Sequence, residues 1–314
     1  MKVLVIGGAG FIGSHVVEHF QDKAAVRVLD NLRSGFEHNL VGFRGDFIKA
    51  SILDREAVRR ALAGVDYVFH LAALVSVPES MLEPVECNEI NTTGTLIILE
   101  EAAKAGVKKL VFSSSAAIYG DNPVVPKVET MLPEPKSPYA ITKLDGEFYC
   151  RMFAEEGRLQ TTCLRYFNVF GPRQNPNSQY AAAVPIFIQR ALRHEPIIIH
   201  GDGEQTRDFI HVRDIAAANA FFATESSATG VFNVANGQST SIKNLAATIC
   251  HLVGSKSEIK HTAERPGDVK HSVASTDKLK QAGFTPGVDV AGGLRNTIEC
   301  FRQPEPAAGA IAPS

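Results

Sequence analysis

Three kinds of side chain in the middle of the chain have the chemistry of a proton relay. Tyr139 and Lys143 are four residues apart in Tyr-Ala-Ile-Thr-Lys, a spacing that puts them on one helix face, about one turn from each other. An ammonium near a phenol stabilises the phenolate and lowers the tyrosine pKa from its ordinary value near ~10. A tyrosine tuned in that way can exchange a proton with a hydroxyl near neutral pH. Ser113-Ser114-Ser115 ends the apolar run Lys109-Leu-Val-Phe112, which reads as a buried strand. In open α/β sheets the reactive groups collect at such strand ends. The Tyr/Lys spacing alone is common on helix surfaces, so its weight depends on what surrounds it.

What surrounds it begins at the N-terminus. Met1 to Ile6 reads as a short apolar strand, and Gly7-Gly-Ala-Gly10-Phe-Ile-Gly13 follows at once. Gly7 permits a tight turn, Gly10 lets backbone approach a pyrophosphate, and Gly13 allows close helix–strand packing. Phe11 and Ile12 open the helix, whose N-terminal N–H groups and dipole favour phosphate. A second strand, Val26-Arg-Val-Leu29, ends at Asp30, with Asn31 next. A carboxylate there binds both ribose hydroxyls of NAD and repels a 2′-phosphate. Arg33 pulls the other way, since arginine can hold that phosphate. Asp30 takes the first position after the strand, so NAD is the expected cofactor.

Together these residues resemble the extended short-chain dehydrogenase/reductase family, and within it the nucleotide-sugar 4-epimerases. The resemblance runs from Met1 to about Arg302. It includes the glycine turn, Leu71-Ala-Ala73, Ser113-Ser-Ser-Ala-Ala-Ile-Tyr-Gly120, Ser137-Pro-Tyr-Ala-Ile-Thr-Lys143, Arg165-Tyr-Phe-Asn-Val-Phe-Gly-Pro172, Gly201-Asp-Gly-Glu-Gln-Thr-Arg-Asp208 and Arg265-Pro-Gly-Asp268. It implies an α/β fold: a Rossmann-type doubly wound parallel sheet with a smaller C-terminal α/β substrate-binding region. Residues 1–165 would form the NAD-binding domain with the catalytic Ser/Tyr/Lys. Residues 166–302 would mainly bind substrate, interleaved with the first part, and residues 303–314 would be a disordered tail.

The resemblance also implies roles. Ser115, Tyr139 and Lys143 would be catalytic: Tyr139 takes the proton from the sugar 4-hydroxyl while hydride passes to NAD, Ser115 hydrogen-bonds the same oxygen, and Lys143 holds the nicotinamide ribose. The 4-keto sugar then turns over and hydride returns to its other face. Asp46 and Phe47 would meet the adenine. Leu71, Ala72, Ala73, Asn91, Ser113 and Tyr166 would border the cofactor. Asn168, Val184, Arg207, Phe209, Arg265, Asp268 and Ser272 would hold a UDP-sugar, the two arginines on its diphosphate. A small residue at Ser272 leaves room for a 2-acetamido group, which points to UDP-N-acetylglucosamine and its galacto epimer, with UDP-glucose and UDP-galactose as further substrates. The alternatives are a UDP-glucuronate 4-epimerase or another nucleotide-sugar dehydratase or reductase. Dehydration needs an acid and a base just after the serine, and Ala116 and Ala117 can supply neither. A silent dinucleotide sensor would be expected to lack the Tyr/Lys pair.

Composition fits a large enzyme domain or two coupled ones. The chain has 314 residues, 45% hydrophobic and 21% charged, with a net charge of −2 and no basic run, which argues against nucleic acid. No apolar stretch approaches the roughly 20 residues that span a bilayer. The five cysteines (Cys87, Cys150, Cys163, Cys250 and Cys300) show no metal-ligand spacing and read as thiols, so the expected compartment is the cytoplasm, with no secretory signal and no metal. Further elements expected are a strand at Leu40–Phe43, a helix capped by Asp54, a strand at Asp66–Phe69, helices at Pro84–Lys104 and Tyr139–Glu156, and a strand at Thr161–Arg165. The two long helices could pair across a two-fold axis, making a homodimer. His70, without an acidic or metal partner in sequence, reads as structural.

Overall fold

A computed structural model describes residues 1–176, 182–264 and 270–303. Seven parallel strands make the main sheet: β1 (Lys2–Ile6), β2 (Ala25–Asp30), β3 (Asp46–Lys49), β4 (Tyr67–His70), β5 (Lys109–Ser115), β6 (Gln160–Tyr166) and, much later, a strand at Gly230–Val234. Between these last two come β7 (Asn168–Phe170), β8 (Ile197–His200), β9 (Thr206–Arg207) and β10 (Phe209–His211), so the Gly230–Val234 strand is β11. Its order, β3-β2-β1-β4-β5-β6-β11, reverses direction between β1 and β4. That reversal is where a doubly wound sheet opens a crevice for a dinucleotide.

Residues alternate between the two faces, and both faces are buried, as a parallel sheet requires. Val3, Val5, Val28 and Val111 share one core with the buried residues of α1 (Phe11–Phe20), whereas Leu4, Ile6, Leu29 and Leu110 belong to the core on the other face. On that second face lie α2 (Arg55–Leu62), a pair of short helices α3 (Val77–Leu82) and α4 (Pro84–Asn88), then α5 (Gly94–Lys104) and α6 (Pro138–Glu155). Asp54 caps α2 by accepting from Ala57 N, as expected. A third core gathers α7 (Ala183–Leu192), β8, β10 and the later helices, with α8 (Val212–Ala220) returning to pack against α1. The chain closes through β12 (Thr240–Ser241), α9 (Ile242–Val253), β13 (Ile259–Thr262), α10 (Asp277–Gln281) and α11 (Val290–Arg302).

Two local expectations change. Leu40–Phe43 is not a strand: Glu37–Leu40 forms a 3₁₀ turn, and Gly42 at φ +83° breaks any extended run. The stretch from Pro84 to Lys104 is helical but widens into a π turn at Glu89–Thr93, a local distortion that recurs at functional sites. On α6, Phe153 is buried, whereas Phe148 and Met152 are exposed together with Val85 of α4. Among the described residues no helix is long and apolar enough to cross a membrane, and all five cysteines are free.

Candidate active site

A cleft of about 810 Å³ opens at the C-terminal ends of β1, β2, β4 and β5. Gly7 turns the chain out of β1 at φ +84°, where an added Cβ would lie 2.6 Å from Ala72 N. At Gly13 a Cβ would sit 2.0 Å from Gly7 O, so only glycine lets α1 close onto the turn. Gly10 is the N-cap of α1, with no side-chain cap and no acidic residue in the first turn. That leaves N–H groups and the positive dipole end for an anion. Asp30 accepts from Ala9 N (2.9 Å) and Leu32 N (2.8 Å) and faces the same cleft. Phe11, Ile12, Asn31, Arg33, Leu71, Ala72, Ala73 and Tyr166 are also on its wall. A cradle that no Cβ could share, an uncapped helix start and a carboxylate after the second strand fit a dinucleotide.

The reactive end is assembled by α6 on β5. Ser137 caps α6 by accepting from Ala140 N (3.2 Å), and Pro138 takes the first helical position, where its missing N–H costs nothing. Gly146 lets the helix press onto Phe112, whose ring would lie 2.3 Å from a Cβ. Beneath the site Glu147 accepts from Ser114 Oγ (2.5 Å) and pairs with Arg165 through both carboxylate oxygens (2.8 and 2.7 Å). This buried brace fixes α6 to β5 and β6. Lys143 donates to Ser113 O (2.7 Å), and its Nζ is 5.8 Å from the Tyr139 ring centre. Tyr139 and Ser115 line the cleft together, and Ser115 Oγ accepts from Ala117 N (3.1 Å).

The electrostatics depart from expectation. Burial raises the Tyr139 phenol above its ordinary value, and the neighbouring Ser115 hydroxyl only partly opposes it. Burial also pushes the Lys143 ammonium down to about 8. The protein's own charges therefore do not lower the tyrosine as the Tyr/Lys spacing suggested; the low-polarity site penalises both charged forms.

Several expected residues lie elsewhere. Asp46 and Phe47 begin β3, the end away from the cleft: Asp46 pairs with Arg27 (3.0 Å) and Phe47 packs into the core. Ala50 to Leu53, just past the other end of β3, form the wall instead. Asn91 is buried in the π turn, bonded to Leu74 N (2.8 Å), Leu74 O (3.0 Å) and Thr142 Oγ1 (3.0 Å). It anchors the segment after Ala73 to α6 and does not line the cleft. Val184 and Phe209 are core residues, 2% and 4% exposed. His70, at the end of β4, is hydrogen-bonded to Thr95 Oγ1 of α5 (2.9 Å). Asn168 is exposed between the wall residues Phe167 and Val169. Arg207 donates to Thr206 O (2.8 Å), and Ser272 N donates to the same carbonyl (3.1 Å), so Ser272 runs alongside the arginine's strand. Arg265 and Asp268 lie outside the described residues.

Residues 3–235 match the NAD dependent epimerase/dehydratase family. The chain belongs to that family. It is an enzyme, an isomerase of the 4-epimerase type, and its cofactor is NAD. A putative UDP-glucose 4-epimerase of Methanocaldococcus jannaschii is 35% identical over 96% of this chain and 98% of that protein. A UDP-N-acetyl-alpha-D-glucosaminuronate decarboxylase of Bacillus cytotoxicus is 34% identical over 97% and 98%. The UDP-N-acetylglucosamine 4-epimerase of Methanobrevibacter ruminantium, solved with UDP-N-acetylmuramic acid, superposes with TM-score 0.93 at 44% identity, covering 96% of this chain and 98% of that one. The UDP-glucose 4-epimerase of Thermus thermophilus, solved with NAD, gives TM-score 0.88 at 38% identity, covering 96% and 99%.

Proposed function

We propose that this enzyme interconverts UDP-hexoses at carbon 4, acting on UDP-N-acetylglucosamine and UDP-N-acetylgalactosamine and also on UDP-glucose and UDP-galactose. The carrying observation is Ser115 at the end of β5 facing the same cleft as Tyr139 of α6, with Lys143 one turn along the helix and Ala116-Ala117 after the serine. NAD, when bound, supplies the hydride acceptor and donor and a positive charge. Tyr139 removes the proton from the 4-hydroxyl and returns one to the same oxygen after the 4-keto sugar has turned over. Ser115 holds that oxygen, and Lys143, tied to Ser113, holds the cofactor ribose. Alanines after Ser115 cannot move a proton at carbons 5 and 6, so the intermediate is not diverted into elimination.

The N-acetyl preference rests on Ser272. Arg207 and Arg265 bind the diphosphate, with Asn168 and Asp268 on the phosphate, sugar or ribose. Ser272 then borders the hexose, and its small side chain admits a 2-acetamido group. Each UDP-sugar is incubated separately with the enzyme and its products are separated by chromatography. Wild type should convert both the acetamido and the plain hexoses, and Ser272→Tyr should convert only the plain ones. Conversion of UDP-glucose alone by wild type would sink the preference, and conversion of UDP-glucuronate alone would sink the assigned substrates. Two copies are expected to associate through the exposed apolar faces of α4 and α6; light scattering on an eluting column should give twice the chain mass.

A further inference from the structure

Arg33 is the residue that should have argued for NADP, and its surroundings decide otherwise. It stands on the cleft wall three residues past Asp30, where a 2′-phosphate would be read. Its guanidinium is already engaged. Nη2 donates to Glu79 Oε1 (3.0 Å) and to Glu86 Oε2 (3.1 Å), and Nη1 donates to Glu86 Oε1. The fork that would grip a phosphate instead grips Glu86 through both carboxylate oxygens. Both glutamates sit in the first turn of a helix, Glu79 in α3 and Glu86 in α4, where the helix dipole favours a carboxylate. Glu86 and Glu89 themselves line the cleft. Lys143, the other cation on the described wall, is tied to Ser113 O.

We propose that Glu79 and Glu86 are cofactor-specificity residues: they sequester Arg33 and exclude NADP, in addition to the repulsion from Asp30. With Arg33 held, a phosphorylated ribose meets the carboxylates of Asp30 and Glu86 without a free guanidinium. The ribose of NAD carries no such charge and loses nothing by the arrangement. The three side chains are each more than a third exposed, so the effect is screened and should shrink as salt is raised.

The test measures binding alone. Full-length protein is equilibrated at low salt with equal concentrations of NAD and NADP, freed of unbound nucleotide and denatured, and the released nucleotides are quantified. Wild type should release NAD almost alone. Glu79→Gln with Glu86→Gln should raise the NADP-to-NAD ratio about tenfold, since an arginine–phosphate pair is thereby freed. Adding Arg33→Ala to that variant should return the ratio to the wild-type level. A rise of less than threefold in the glutamine variant overturns the proposal. So does a rise that survives Arg33→Ala, because the glutamates would then act by repulsion without sequestering the arginine. Asp30→Ala, which removes the carboxylate after the second strand, serves as the positive control for NADP binding.

Discussion

At the scale of single residues, the site combines a phenol that resists ionising with a lysine that resists protonating. Tyr139→Phe removes the hydroxyl and little else, so fold and NAD content should persist while kcat for UDP-sugar conversion falls roughly 10²–10⁴-fold. An unchanged kcat would take Tyr139 out of the chemistry. Lys143 gives a pH signature. Its folded value is about 8 against an ordinary 10.5, so between those limits the unfolded chain keeps a proton that the folded protein has lost. Stability from this group therefore rises with pH in that window. Tyr139, whose folded value is raised, works in the opposite sense, but only above its ordinary value of 10.0. Urea unfolding of nucleotide-free protein near about pH 7.5 and 9.5 should show wild type gaining on Lys143→Met at the higher pH. A constant gap would mean that the lysine is well solvated. The identities of these residues were legible in sequence because the spacing is local. Their electrostatics were not, since burial depends on Phe112, α6 and the rest of the fold.

At the scale of elements, α6 is held in place by the Glu147–Arg165 pair, which is 5% and 3% exposed. Removing one member strands a buried charge: Glu147→Ala should cost roughly 3–5 kcal/mol in stability. Replacing both by methionine should cost much less, and equal losses in denaturant midpoints would show that the pair carries no such strain when broken. The brace joins residues far apart in the chain, so no short motif announced it. The resemblance also puts the acidic–apolar pair Asp46-Phe47 at the adenine, and the position of the third strand decides against it. With β3 at Asp46–Lys49, the cleft-facing residues are those that follow it, among them Ser51 and Ile52. Where periodicity was strong, as in β1, β2, β5 and α6, the positions stood.

At the scale of the whole molecule, the parallel sheet and its crevice are what the family resemblance implies, the glycine turn foremost among its motifs. The interleaving followed less directly. The expected NAD-binding and substrate-binding parts meet near Arg165, the second interleaved with the first. β11, from the second half, completes the first half's sheet by pairing with β6 along its whole length, and α8 covers α1. β9 and β12 form a separate antiparallel pair. Two-residue strands of this kind carry no readable alternation; β9 falls within the Gly201 to Asp208 motif, and no motif covers β12.

The late arrival of β11 has a consequence during synthesis on the ribosome. The outer edge of β6 has no partner until the sixty-eight residues from Tyr166 to Val234 have been added. At about 5–20 residues per second that interval lasts roughly 3–14 s. For that time a nascent chain presents open backbone donors and acceptors on a buried-type strand, a template for another chain. Chaperone demand should concentrate there. A chain stopped after Gly171 should sediment with the insoluble fraction, while one stopped after Gln303 stays in the supernatant. Finding the shorter chain soluble and monomeric would show that something other than β11 shields the edge.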